Sequence, residues 1–366
     1  MANQLNASGA ISLAGTTAGQ SIQTALNGSG SSQISFNTVG VLALKGTTSS
    51  TNIVMPTDFY SKIPPTSRAI FAFGNTVIGT TGSPTAVSNL VSTAGVIASN
   101  TSGVGTARNN VAACGYGFDK GIFGFGFSTA LTGVTNLISN AGVVATDTAA
   151  VGTARRSPAA TGYGVDLGVF FGGYTTIAVD SRNLVSNVGV VASTTSATGV
   201  QARQGCVGVR YGTDTGFIFG GRNTPTGTTY YNTYNRVNNT GTVGVNQTTA
   251  GATASDTPGA ASYGFDKAII QGGNGGGSVT GKSNLIGNTG SIANDVTAVL
   301  DSTFLGRAGS SYGFTGQGVI AFGASASAVV NTYNNISNTG VVAVGVASAG
   351  TARQRLGCCG FGVSQS

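Results

Sequence analysis

Six aromatic residues recur along this chain at nearly one interval, and each arrives in the same company. Arg108, Arg155, Arg203 and Arg353 stand eight residues before Tyr116, Tyr163, Tyr211 and Phe361. Tyr263 and Tyr312 mark two further copies, in which the Arg position reads Ser255 and Phe304. Ten or eleven residues past five of the aromatics a hydrophobic run ends in glycine: Gly126, Gly173, Gly221, Gly273 and Gly323. A second anchor keeps phase with the first. Asn89, Asn136, Asn183, Asn235, Asn284 and Asn334 each open an Asn-x-x-x-x-x-Gly segment, at spacings of 47, 47, 52, 49 and 50 residues. One such unit is too small to bury its own apolar face, so copies must stack on one another. A period near 50 built from strand-length pieces predicts an all-β chain folded as a six-bladed β-propeller.

The copy that begins at Ala107 shows the expected blade. Residues 108–116 read as the first strand and 122–126 as the second, joined by the tight turn Phe118-Asp119-Lys120-Gly121. Residues 135–139 read as the third strand and 142–145 as the fourth, with Gly, Asn and Asp as punctuation. The turn returns as Asp166, Asp214 and Asp266, each three residues after its Tyr. Asp in such a turn is expected to hydrogen-bond its own backbone.

The two ends of the repeat region complete each other. The first copy opens at Arg68 with what is already a second strand, and the last closes at Phe361 with a first strand that has no second. Pairing the two closes a ring of six blades and removes the sheet edges that invite aggregation.

Composition narrows function more than fold. Charged residues make up 7% of the chain, His and Glu are absent, and all ten acids are Asp. The net charge of +7 is spread through the repeats. A nucleic-acid surface calls for a dense basic stripe with interleaved aromatics, so none is expected. No apolar run approaches the roughly 20 residues of a membrane span, and the first residues lack a signal-peptide pattern. The expectation is a protein made in a cytoplasm, without membrane insertion. Cys114, Cys206, Cys358 and Cys359 form no Cys-x-x-Cys pair and have no His to join them, so core packing is expected, with no metal and no cofactor. Catalysis is not expected either. There is no His for a base, no Glu, and no paired-carboxylate motif of the kind a glycosidase needs.

Residues 1–66 contain no copy of the repeat and read as a small separate domain, with the propeller at 67–366. A short helix is expected at 21–27, ending at Gly28. Ile63-Pro64-Pro65-Thr66 reads as a stiff linker. The pattern Ala10-Ile11-Ser12-Leu13, Gln33-Ile34-Ser35-Phe36, Val41-Leu42-Ala43 and Ile53 through Lys62 resembles a short module at the ends of bacteriophage tail and virion structural proteins. The order of Arg, small-residue strand, turn, hydrophobic strand ending in Gly172-Gly173, Gly220-Gly221 or Gly272-Gly273, then an Asn- or Tyr-bearing strand resembles the kelch repeat over about 300 residues. It is also similar to kelch-like arrays in phage tail-fibre proteins. The kelch Trp is missing throughout, and three copies have Phe-Gly in place of Gly-Gly. The resemblance implies that the first strand lines a central channel, with Ala112, Ala159, Gly205, Gly309 and Gly357 facing the axis.

Two sets of residues are candidates for binding. Arg108, Arg155, Arg203 and Arg353 lie at the entry to the inner strand. They either form a partial ring for carboxylate or phosphate on a glycan, or tie neighbouring blades together. Tyr230 and Tyr231 sit in a segment that lengthens one blade, where aromatic faces beside Asn and Thr suit a sugar. Together these features lead to the expectation of a bacteriophage tail or baseplate protein, located in the virion, whose propeller meets the host surface. Residues 1–66 then dock to other virion proteins, and homo-oligomers are compatible with such an appendage. The alternative is a capsid or tail decoration protein that binds only virion partners.

Overall fold

A computed structural model of the protein describes residues 68–362, except 80–81, 165, 213, 225–228, 277, 298–303 and 314, together with Leu5, 11–13, 20–22 and Met55. The expected adaptor at 1–66 and its helix at 21–27 lie almost wholly outside the described residues.

The chain forms a six-bladed β-propeller of antiparallel sheets. The inner strands are Gly357–Phe361, Ala112–Tyr116, Ala159–Tyr163, Val207–Tyr211, Gly259–Tyr263 and Ala308–Tyr312, for blades 1 to 6 in that order. Each inner strand packs beside the next, and the last returns to the first. Closure is as the two chain ends require: Arg68–Ala72 pairs antiparallel with Gly357–Phe361, from Arg68 opposite Phe361 to Ala72 opposite Gly357. Blade 1 is therefore built from both ends of the repeat region.

Second strands such as Leu167–Phe171 and Thr215–Phe219 carry apolar residues without alternation, because a blade is covered on both faces by its neighbours. Each boundary between blades holds its own apolar cluster. Phe125 and Phe170 meet edge to face across the boundary of blades 2 and 3, their centroids 5.1 Å apart.

Two strand expectations are corrected. The inner strand is shorter than 108–116, beginning at Ala112, because the residues before it serve the ring described below. Residues 142–145 are not the fourth strand. They form the return of a tight turn, in which Val144 bridges Ile138. The outermost pairing lies further on, at Thr148 in blade 2 and Thr195–Ser196 in blade 3. The segment cannot extend a ladder because Ser139 closes the turn on itself, its hydroxyl accepting from the Ala141 and Val143 amides.

The two repeat anchors meet at every boundary. Each Gly of the Asn-x-x-x-x-x-Gly segments lies against the inner-strand aromatic of the preceding blade: Gly95 on Tyr312, Gly142 on Phe361, Gly189 on Tyr116, Gly241 on Tyr163, Gly290 on Tyr211 and Gly340 on Tyr263. All six glycines have positive φ. Each anchor Asn donates from Nδ2 to the carbonyl nine residues later, at 2.8–3.0 Å in all six blades. Asn thus clamps the turn whose Gly receives the neighbouring ring.

Candidate functional site

The residues that enter each blade build one end of the channel. The second glycine of every Gly-Gly or Phe-Gly pair donates its N–H to the carbonyl at the Arg position of the next blade. The pairs are Gly74 to Arg108, Gly126 to Arg155, Gly173 to Arg203, Gly221 to Ser255, Gly273 to Phe304 and Gly323 to Arg353, at 2.7–3.0 Å. Two residues further along each strand entry lies a second, closed ring. Asn110, Ser157, Gly205, Thr257, Gly306 and Arg355 are linked head to tail by backbone hydrogen bonds of 2.6–3.0 Å, each N–H donating to the carbonyl in the preceding blade. All six have φ between 52° and 66°. That conformation is uncommon for non-glycine residues and a marked outlier for β-branched Thr257. The ring holds it in place, since any residue leaving αL would break two inter-blade bonds.

The girdle lines a cavity of about 100 Å³ together with small inner-strand residues, among them Ala112, Ala159, Gly309 and Gly357. Gly205, also expected at the axis, is itself a girdle residue.

The four arginines singled out from the sequence do not face the channel. Arg108, Arg155, Arg203 and Arg353 are fully buried between blades. Arg108 donates from Nε to the Phe125 carbonyl and from Nη2 to Asn136 Oδ1, and its guanidinium lies 4.0 Å from the centroid of Phe73 in the preceding blade. Arg155 donates to the Gly172 carbonyl and stacks 4.0 Å over Phe125. Arg353 donates to the Phe73 carbonyl and stacks 4.2 Å over Phe322. Arg203 reaches Cys206 Sγ, Thr233 and Asn235. Of the two alternatives, the geometry is that of ties between blades. Burial draws Arg108 and Arg155 down to about 10 and Arg353 to about 9, which leaves all three charged at neutral pH.

The Phe-Gly copies now have a reason. Phe73, Phe125 and Phe322 sit at φ near 60° so that their rings cover the next blade's Arg. The copy that reads Phe304 is not open, because Arg307 reaches the same place from three residues on. It donates to the Phe322 carbonyl, to Asn334 and to Gln271 of the preceding blade.

A different set of arginines stands at the mouth. Arg156 bridges Tyr174, and its guanidinium lies 5.0 Å from the Tyr174 centroid and 5.8 Å from that of Phe127. Arg222 bridges Gln204 and Tyr230, and its Nε is 2.8 Å from Asp256 Oδ2. Arg355, on the girdle itself, donates from Nη1 to Asn110 Oδ1 at 2.9 Å. Burial lowers Arg355 to about 10; Asp256 opposes the shift while Arg222 and Arg156 add to it, so these groups share one electrostatic neighbourhood. Burial likewise raises Asp256, against the pull of Arg222 and Arg355. Several buried polar atoms here have no hydrogen-bond partner among the described residues: Asp256 Oδ1, Gln204 Nε2 and Arg355 Nε. The mouth is thus net positive, partly desolvated and under-bonded.

Tyr230 and Tyr231 are half-buried on the same end of the ring, beside Arg222. Tyr231 is fastened by its backbone, its N–H donating to the Gly221 carbonyl. The structure therefore joins the predicted Tyr segment to a site whose arginines lie outside the repeat pattern. Their signal in the sequence is that each is an arginine present at its repeat position in one copy alone. The turn aspartates are at the opposite end. Asp119 and Asp266 pair with Lys120 and Lys267, and their second oxygens accept from Asn140 and Asn288. Among the described residues, these two carboxylates are seen bonded to Lys and Asn side chains. Among the described residues, no three His, Cys, Asp or Glu side chains come together as a metal site.

No protein-family model and no curated protein matches this sequence. What the fold defines is the class: a closed six-bladed β-propeller.

Proposed function

We propose that this is a non-catalytic recognition protein of a bacteriophage virion, a tail-fibre or baseplate appendage whose kelch-like propeller binds glycan on the host cell surface. Residues 1–66 attach it to other virion proteins. The observation that carries the binding half of this reading is the girdle end of the channel. There a closed ring presents Arg156 and Arg355 at the entries to inner strands, with Arg222, Tyr174 and Tyr230 on the irregular loops between second and third strands. Propellers offer such loop ends for ligands because the scaffold beneath does not move. The virion half rests on the resemblance of the repeats and of the N-terminal segment to phage proteins.

The carboxylates support a non-catalytic role. Asp147 and Asp295 cap strand entries, Asp180 accepts from Ser196, and Asp256 pairs with Arg222. A second reading, docking to virion partners alone, is favoured by one feature. Val96, Val143, Val190 and Val341 stand 56–67% exposed at the same turn of four blades, forming an apolar array on the rim.

Adsorption competition tests the proposal. Host cells are incubated with the purified full chain before phage are added, and unadsorbed phage are counted. Dose-dependent loss of adsorption is the expected result. Unchanged adsorption at saturating protein, repeated with a multimerised chain to exclude weak monovalent binding, moves the decoration reading ahead.

A further inference from the structure

The mouth has more chemistry than a rigid scaffold needs. Arg222 of blade 4 and Arg355 of blade 1 both act on a single carboxylate, Asp256 of blade 5, Arg156 of blade 3 acts on Arg355, and the close ion pair among them is Arg222 with Asp256 at 2.8 Å. Four residues of the girdle beneath keep side chains in αL, where glycine would be at ease, as it is at Gly205 and Gly306. One of those four is Arg355, whose retained side chain lies among the other charges. Asp256 is 2% and Gln204 4% exposed, yet Asp256 Oδ1 and Gln204 Nε2 lack partners among the described residues. In this setting a like-charged group left unneutralised is costly, and a planar guanidinium fork matches an oxyanion.

We propose that Arg156, Arg222 and Arg355 form an axial site for an anionic sugar, the guanidinium groups holding its oxyanion while Tyr174 and Tyr230 flank the sugar ring. Asp256 occupies part of that charge field in the free protein and sets how tightly the anion is held. Arg355 belongs to the girdle, and Arg156 and the Arg222 partner Gln204 each precede a girdle residue, so the site needs no rearrangement of the blades. This inference deepens the glycan-binding reading in naming the ligand class, but it does not rest on a phage host.

The test is isothermal titration of the full chain at constant ionic strength with galacturonic acid, glucose 6-phosphate, inorganic phosphate and neutral galactose. Saturable binding of the two acidic sugars is expected, with inorganic phosphate about tenfold weaker and galactose without detectable heat. Arg222→Gln and Arg156→Gln weaken the acidic sugars by about tenfold or more. Asp256→Asn removes the competing carboxylate at nearly constant shape and tightens them. Lys120→Gln, a change at the opposite end of the ring, leaves affinity as it was. No saturable binding by either acidic sugar overturns the site. So does galactose binding equally well, or Asp256→Asn weakening the anion. Inorganic phosphate binding as tightly as the sugars overturns the sugar part. Should an Arg variant fail to fold, Asp256→Asn still decides, because its expected effect is a gain. Anion binding together with failed adsorption competition would remove the host-surface reading and leave this one standing.

Discussion

Asp147 shows how one position can be filled by several residue types when only an oxygen is required. It accepts from the Thr106 amide and hydroxyl and from Asn136 Nδ2, fastening the segment that enters blade 2. Asn100, Thr194, Asn246 and Asp295 do the same for blades 1, 3, 4 and 5. Partial burial pushes Asp147 upward, but the bonds from Thr106 and Asn136, with Arg108 nearby, outweigh it and hold the carboxyl below its ordinary 3.8. A depressed carboxyl pKa contributes stability that is complete above the unfolded value and is lost as pH falls through the folded one. Asp147→Asn is therefore expected to change stability at pH 7 by less than about 0.5 kcal/mol, since Asn already holds this place in blades 1 and 4. It should also flatten the loss of stability between pH 5 and the acid limit, which urea unfolding across that range measures. Equal acid slopes in variant and parent would mean that the carboxylate carries no such linkage. The same economy explains the Arg position. Ser255 and Phe304 serve there because the bond common to all six blades is made by the backbone carbonyl.

The element that sets the blade spacing is the turn after the third strand. Gly189 and Gly199 lie in the same blade with φ of 81° and 79°, but their surroundings differ. A Cβ on Gly189 would stand 2.8 Å from Leu137 Cδ2 and 2.9 Å from Tyr116 Cζ, whereas one on Gly199 meets nothing within 4 Å. Gly199→Ala should cost about 1 kcal/mol, the penalty of the left-handed conformation alone. Gly189→Ala carries that penalty plus roughly 1–3 kcal/mol for forcing the neighbouring blade's ring aside. Urea midpoints of the two variants distinguish the cases, and equal losses would show that Tyr116 is not a wedge against this turn. The period of the Asn-x-x-x-x-x-Gly segment marked the element correctly. Its partner across the boundary was not legible, because the contact joins residues more than seventy apart.

At the scale of the molecule, closure is the decisive event. Each boundary between blades carries an apolar cluster and two or more backbone hydrogen bonds, and six boundaries exist only if the last blade meets the first. Ending the chain at Leu356 removes the inner strand of blade 1, leaves the edge of Arg68–Ala72 unpaired, and opens the girdle's neighbour strands. The truncated protein is expected to aggregate and to lose a single cooperative thermal transition, as followed by size exclusion and calorimetry. A soluble monomer with one sharp transition would show that an open ring of blades is stable by itself. In a closed ring a local defect is also a defect in closure, which distinguishes this architecture from an open solenoid.

The sequence by itself determined the number of blades, the order of the first three strands in each and the pairing that shuts the ring. These follow from local periodicity, and local periodicity survives translation into structure because every copy faces the same neighbours. It also placed the repeated Arg, Asn, Gly and aromatic positions, which lie within and between the blades. The tertiary structure alone decided which arginines are sealed between blades and which stand at the mouth. Arg155 and Arg156 are adjacent in sequence, yet one is sealed between blades over Phe125 and the other lies at the mouth beside Tyr174. The girdle was equally hidden, since Asn110, Ser157, Gly205, Thr257, Gly306 and Arg355 share no side-chain chemistry, and the backbone conformation that unites them is imposed by closure of the ring.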